Sequence, residues 1–148
     1  MIIVRHLTAI LEDMVNDQNC DLASYQYESK PLGNVRLDNK KPSPTALFIQ
    51  LTDFQLDINR LTSREKCHVN VCFLEKENKL DSKAISQDEI ITRMKDLGTD
   101  FLKRVMEDRS LKILDETVDC KSVFYASDSN RTGVCLMFDV EQKQGECL

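Results

Sequence analysis

Tryptophan is absent from this 148-residue chain, and glycine (four), proline (three) and histidine (two) are scarce. Each scarcity excludes something. The glycines at 33, 98, 133 and 145 are widely scattered, so no glycine-rich loop exists to cradle phosphates with backbone N–H groups. Without tryptophan a strong base-stacking platform is missing. The net charge of −5 and the isolated basic pair Lys40–Lys41 provide no counterion-releasing field for nucleic acid, so no sequence-specific nucleic-acid binding is expected. No apolar run approaches the roughly 20 residues that span a bilayer as a helix, so no membrane partner is expected. The opening "MIIVRHLTAILEDMVNDQ" is broken by Arg5, His6, Glu12 and Asp13, with no small-residue cleavage site after it. It does not read as a secretory leader, and the expected location is cytoplasmic. Six cysteines in that compartment are expected to be thiols. By the same argument the sequon at Asn130–Thr132 carries no sugar, and "GECL" has Gly145 where a prenylated cysteine would stand.

What is present fits an ordinary globular domain. Hydrophobic residues make up 41% and charged residues 30%, and the length is enough for one core without staples. The chain reads as a single domain over 1–148, with an irregular arm at about 21–45 and a frayed tail at 142–148. Ile3, Leu7, Ile10, Leu11 and Met14 recur at helical spacing and predict a helix over 2–17, with His6 on its solvated side. The arm contains Pro31, Gly33, Pro42 and Pro44, and one short strand is expected within it near Val35–Leu37. "TALFIQLTDFQLDIN" (45–59) reads as a long strand whose apolar parity switches near Thr52–Asp53, so a bulge or a change of packing surface is expected there. "RLTSREK" follows as a hairpin connection.

Downstream, Ser86 with Glu89 three residues later matches a capping box and predicts a helix over 86–108. Asp88 and Glu89 then fall in its acid-favouring first turn. Ile90, Met94, Leu97, Phe101 and Val105 form its buried stripe, widened by Ile91, Leu102 and Met106. Glu89–Arg93 and Asp100–Arg104 are expected i,i+4 pairs. Gly98 inside this helix points to a close approach by another backbone. "SLKIL" reads as a short strand. A closing hairpin follows, with "ASDSNRTG" as its turn and Val134, Leu136, Phe138 and Val140 on one apolar face.

Cys67, His68 and Cys72 form the densest cluster of chemically capable side chains. In "CHVNVCFL", however, Cys67, Val69, Val71 and Phe73 alternate onto one strand face, and His68, Asn70, Cys72 and Leu74 onto the other. His68 and Cys72 share a face but lie four residues apart, roughly 13 Å along a strand at ~3.3 Å per residue. Zinc ligands must converge on one centre at about 2 Å. The local metal reading therefore fails, and the cysteines read as small apolar fillers. Cys72 with His68 is the best nucleophile–base pair the chain offers. Cys120 and Cys135 face one another in the expected final hairpin, as a close pair of thiols. Acidic groups at Asp53 and Asp57, and at Asp115, Glu116 and Asp119, read as solvated loops, because nothing fixes their convergence. No catalytic, cofactor-binding or metal-ligating residue is assigned.

The order of elements resembles the tail-terminator family of long-tailed bacteriophages, small proteins that cap a tail tube and join it to the head. The corresponding stretches are "LTAILEDMV", "PTALFIQLTDFQLDI", "KCHVNVCFLEK", "QDEIITRMKDLGTDFLKRVM" and "RTGVCLMFDV", covering roughly 2–141. The resemblance implies a non-catalytic phage or prophage structural protein, made in the host cytosol and carried into the virion. It also implies self-association as a homohexameric ring, and tail-tube or head–tail connector proteins as partners. The long 21–45 arm and the six cysteines depart from the family pattern. The expected fold is α+β, a mainly antiparallel sheet of four to five strands with two helices. The alternative is a small cytosolic binding or adaptor domain, using its sheet face or the arm to hold a protein partner.

Overall fold

The first apolar stripe does what its spacing dictates. In a computed structural model, which describes residues 2–29, 40–51, 66–77, 83–126 and 131–142, Ile2–Asn16 forms helix α1. Ile3, Leu7, Ile10, Leu11 and Met14 are all buried. The helix ends where the Asp17 side chain accepts from the backbone N–H of Asn19 at 2.9 Å, a local turn that competes with continued winding.

Among the described residues, six strands form one sheet in the order β1-β2-β3-β6-β4, with β5 also paired to β6. They are β1 (Ser24–Glu28), β2 (Thr45–Leu51), β3 (Lys66–Lys76), β4 (Leu111–Ile113), β5 (Asp119–Ala126) and β6 (Arg131–Gln142). The sheet is mixed rather than wholly antiparallel, because β1 runs parallel to β2. It also exceeds the expected four to five strands, and the added strand lies inside the stretch read as an irregular arm. In "SYQYE", Tyr25 and Tyr27 pack against the main core while Gln26 and Glu28 alternate to the other face. The surrounding prolines and glycine obscured so short a segment. Its start is pinned by Ala23 and Ser24, whose N–H groups donate to the Pro44 carbonyl at 2.9 and 3.2 Å. Ser24 Oγ also donates to the Pro42 carbonyl at 2.6 Å. The Ser43–Pro44 peptide bond is cis. Val35–Leu37 and the phase change at 52–53 lie outside the described residues, as do the "RLTSR" connection and the tail from 143.

The long antiparallel pair β3–β6 forms the centre, running from Lys66↔Glu141 to Lys76↔Arg131. Arg131, Thr132 and Gly133, read from sequence as turn residues, are the first three residues of β6. Helix α2 (Lys83–Glu107) lies across this pair. Phe101 stacks between Phe73 and Phe138, with ring centroids 5.7 and 6.3 Å away in tilted geometry. Ile90, Met94, Leu97 and Val105 complete the buried stripe, whereas Met106, expected to widen it, is 71% exposed. The helix begins three residues before Ser86, so Ser86 is not its cap. Asp88 and Glu89 consequently fall beyond the first turn, out of reach of most of the helix-end field.

Helix α1 meets α2 through polar groups as well as apolar ones. Arg104 donates to Asp17 at 2.8 Å and to Asp100 at 3.2 Å. Arg93, expected to pair along the helix with Glu89, bonds instead to Glu75 on β3. His6 is not left to solvent: its Nδ1 lies 2.8 Å from Asp108 Oδ2 at the far end of α2.

The two core glycines differ in what crowds them. A Cβ at Gly133 would lie 1.8 Å from the backbone oxygen of Phe73, so β3 and β6 approach too closely there for any side chain. At Gly98 a Cβ would meet Leu136 Cδ1 at 3.1 Å and Phe73 Cδ2 at 3.7 Å. The close approach at Gly98 is therefore made by sheet side chains, not by backbone as expected. Gly133→Ala is expected to destabilise by at least the roughly 1–3 kcal/mol typical of overpacking. Gly98→Ala should be near neutral, since about 1 kcal/mol of helix propensity offsets a small shift of Leu136. Urea midpoints of the two variants check the contrast, and equal midpoints would refute it.

A second prediction concerns acid. The N–H of Asn19 and then Arg104 hold the Asp17 carboxyl below its usual value near 3.8. A lowered folded value means that its contribution is complete above the unfolded value and is lost as pH falls through the folded one. Asp17→Asn should thus reduce stability near neutrality, and the gap from wild type should narrow below about pH 4. Thermal melts from pH 7 to 2.5 measure this.

Candidate functional site

Alternation divides the chemically capable residues between the two faces of the sheet. Cys67, Val69, Val71 and Phe73 of β3 join the core beneath the helices. There Cys67 Sγ accepts from Gln50 Nε2 at 3.5 Å, and Gln50 Oε1 accepts from the Tyr27 hydroxyl at 2.9 Å. This buried polar chain links β1, β2 and β3. Burial raises the Tyr27 hydroxyl above its ordinary pKa; a phenol is already a donor at neutral pH.

The opposite face carries His68, Asn70, Cys72 and Leu74. Register sets its rows: Leu47 faces Cys72, Cys72 faces Cys135, and Cys135 faces Lys121. Cys72 and Cys135 form a disulfide with a Cα–Cα separation of 4.0 Å. The pairing corrects two expectations. Cys135 does not pair with Cys120, whose partner in the β5–β6 ladder is Leu136; a one-residue offset turns Cys120 away from it. Nor are all the cysteines thiols. Leu47, Ile49 and Leu74 enclose the bridge in a small apolar cluster, with Cys72 buried and Cys135 half-buried.

Two rows along the same face, His68 Nδ1 lies 2.6 Å from Asp139 Oδ1, and both side chains are roughly two-fifths exposed. The 114–115 segment fixes the backbone of Asp139. Its N–H donates to Asp115 Oδ2 at 2.8 Å, and its carbonyl accepts from Leu114 N–H at 2.9 Å. The Cys72–His68 pair weighed from sequence is thus divided, its sulfur bonded to Cys135 and its imidazole to Asp139. Asn70 occupies the row between, with Oδ1 3.6 Å from Cys72 Sγ. Cys67 lies on the other face, as the alternation predicts.

The other acidic candidates do not converge with these groups. Asp115 is engaged by the Asp139 backbone, and Asp119 opposes Met137. Asp53 and Asp57 lie outside the described residues. Among the described residues, no group of three or more His, Cys, Asp or Glu side chains is placed to hold a metal ion. No helix there is long and apolar enough to cross a membrane.

Arg131 was not visible from sequence. It is fully buried at the start of β6, and its Nη2 donates to the Lys41 carbonyl at 2.7 Å. Beside it, Thr132 donates to Glu77 at 2.8 Å. Together they tie the segment before β2 and the end of β3 to the closing strand. An arginine in an apparent turn gives no pattern that predicts this burial.

No protein-family model matches the chain, and no curated protein matches it.

The thiols carry a prediction. Loss of hydration, the largest cause, raises both Cys20 and Cys120 above the ordinary thiol value, Cys20 at a half-buried position and Cys120 at an exposed one where Lys95 opposes the shift. Cys20 also donates to Asp100 at 3.7 Å, and that neighbouring carboxylate opposes a thiolate. Both should alkylate more slowly at pH 7.5 than cysteine in an unstructured peptide, because the thiolate is the reacting form. Iodoacetamide labelling followed by peptide mapping tests this, and a rate above the peptide's at either position would contradict it.

Proposed function

We propose that this chain is a non-catalytic assembly protein of phage or prophage origin, resembling a tail terminator and acting by self-association at the end of a tail tube or at the head–tail joint. The observation that carries the reading is the order of elements. An N-terminal helix precedes the β2–β3 pair, a long helix follows, and the closing strand β6 returns to lie beside β3. That arrangement agrees with the pattern on which the resemblance rests. The additional parallel strand β1 occupies part of the segment that departs from it.

In this reading one surface of the subunit meets a different surface of its neighbour, and the rotation between them closes a ring. A closed ring stacked on a tube end offers no site for the next tube subunit, so elongation stops there. The acidic balance suits passage of nucleic acid without adhesion, since it gives no attractive field for phosphates. Nothing in this role requires a nucleophile or a metal.

Light scattering coupled to size exclusion, with electron microscopy of the chain mixed with tail tubes of its own phage, tests the proposal. A ring, hexameric by the resemblance, is expected free in solution or at tube ends. A strict monomer at high concentration that also leaves tube ends bare would sink it and favour the adaptor reading.

A further inference from the structure

We propose that Cys72 and Cys135 form a reversible redox staple, which locks the two central strands together under oxidising conditions and opens to one buried and one half-buried thiol under reducing ones. The proposal rests on the placement of the pair and stands whether or not the assembly reading does. Three observations carry it. First, the cysteines are direct register partners on β3 and β6, so the ladder itself brings both sulfurs within bonding reach. Second, the environments are unequal: Cys72 is 5% exposed inside the Leu47, Ile49 and Leu74 cluster, while Cys135 is half-buried at its margin. Third, Asn70 Oδ1 stands 3.6 Å from Cys72 Sγ and can accept the S–H that appears on reduction. The buried thiol therefore has a hydrogen-bond partner.

Cys120 cannot serve as an internal resolving thiol, because its ladder partner is Leu136 and alternation sets it on the other face from Cys135. Cys67 is likewise on the helix side. Cys20 also packs against the helix-side core, so no third thiol among the described residues is placed to reach the bridge, and the exchange is assigned to an external thiol of the glutathione class. Its thiolate attacks the more accessible Cys135 Sγ, forming a mixed disulfide. The electron pair of the broken S–S bond leaves on Cys72, which takes a proton from water. A second small thiolate then attacks the small-molecule sulfur of the mixed disulfide and releases the Cys135 thiolate. Two small thiols are oxidised to one small disulfide, and the bridge accepts two electrons. Oxidised glutathione drives the reverse sequence.

The device acts on stability rather than on shape. The bridge spans 63 residues of sequence, so closing it restricts a long loop in the unfolded chain. The fold itself is already held by the remaining rungs between β3 and β6.

The test uses the full chain, equilibrated in reduced or oxidised glutathione and then quenched with acid. The oxidised sample should be 2 Da lighter by about two hydrogens lost per bridge, and peptide mapping should link Cys72 to Cys135. Its urea midpoint should exceed that of the reduced sample, with matching far-ultraviolet circular dichroism. A double Cys72→Ala, Cys135→Ala variant should show no such redox-dependent difference. If that variant does not fold, the comparison of the two wild-type samples decides alone. A different linkage, no bond in oxidised glutathione, or coincident midpoints would each overturn the proposal.

Discussion

The close pairing of β3 with β6 is the constraint on which the other features depend. Its register places Val69, Val71, Phe73, Val134, Leu136 and Phe138 on one face, which gives α2 a continuous apolar bed. The same register places Cys72 opposite Cys135 on the other. At Leu74↔Gly133 the strands come so near that only glycine fits, with the Phe73 carbonyl occupying the space a Cβ would need. A slip of one residue would invert both faces and break all three arrangements together. The register is thus over-determined, by core burial, by a glycine and by the position of two sulfurs.

Charged contacts are secondary in this architecture. Arg104 joins Asp17 to Asp100, Arg93 reaches Glu75, and each histidine lies against an aspartate. These pairs are partly solvent-exposed, and such ion pairs typically contribute about 0–1 kcal/mol each. Fully burying one aromatic or aliphatic side chain contributes about 1.5–3 kcal/mol, and more than twenty apolar residues make up the main cluster. Burial therefore supplies most of the stabilisation, and the ion pairs add little to it. Arg104 shows the difference: its hydrogen bonds to Asp17 and Asp100 raise its already high pKa, so it remains charged at any ordinary pH and acts as a fixed clasp.

Where the pattern was strong, the fold was legible in the residues alone. The stripe of α1, the alternation of β3, most of the α2 stripe and the apolar face of β6 all follow from periodicities of 3.6 and 2. The partial failures share a physical cause, which is that periodicity is local and pairing is not. Nothing within "SYQYE" announces a parallel partner twenty residues away. Nothing near Cys135 distinguishes Cys72 from Cys120, because the choice depends on the long-range β3–β6 register. The capping-box match at Ser86 was misleading for a related reason: a helix can begin upstream of a sequence that resembles a cap. At the candidate site, alternation correctly separated Cys67 from Cys72 and His68. It gave no indication of Asp139, which comes from a strand 71 residues away.

The two ends of the sheet are built differently from its centre. Within the described residues, β1 is five residues long and joined to β2 alone, and the flank of β6 away from β3 is shared by the three residues of β4 and the eight of β5. Short peripheral strands open at lower free energy than a long central pair buried under a helix. In the proposed assembly role, that distribution would let the margins adjust to a neighbour while the central pair holds its register. The bridge between β3 and β6 adds its constraint to that central pair and not to the edges. A bridge across β1–β2 would instead constrain the short parallel pair at the edge. Cys72 and Cys135 thus lie on the two strands that share the longest ladder, where the bridge reinforces the register and not the edges.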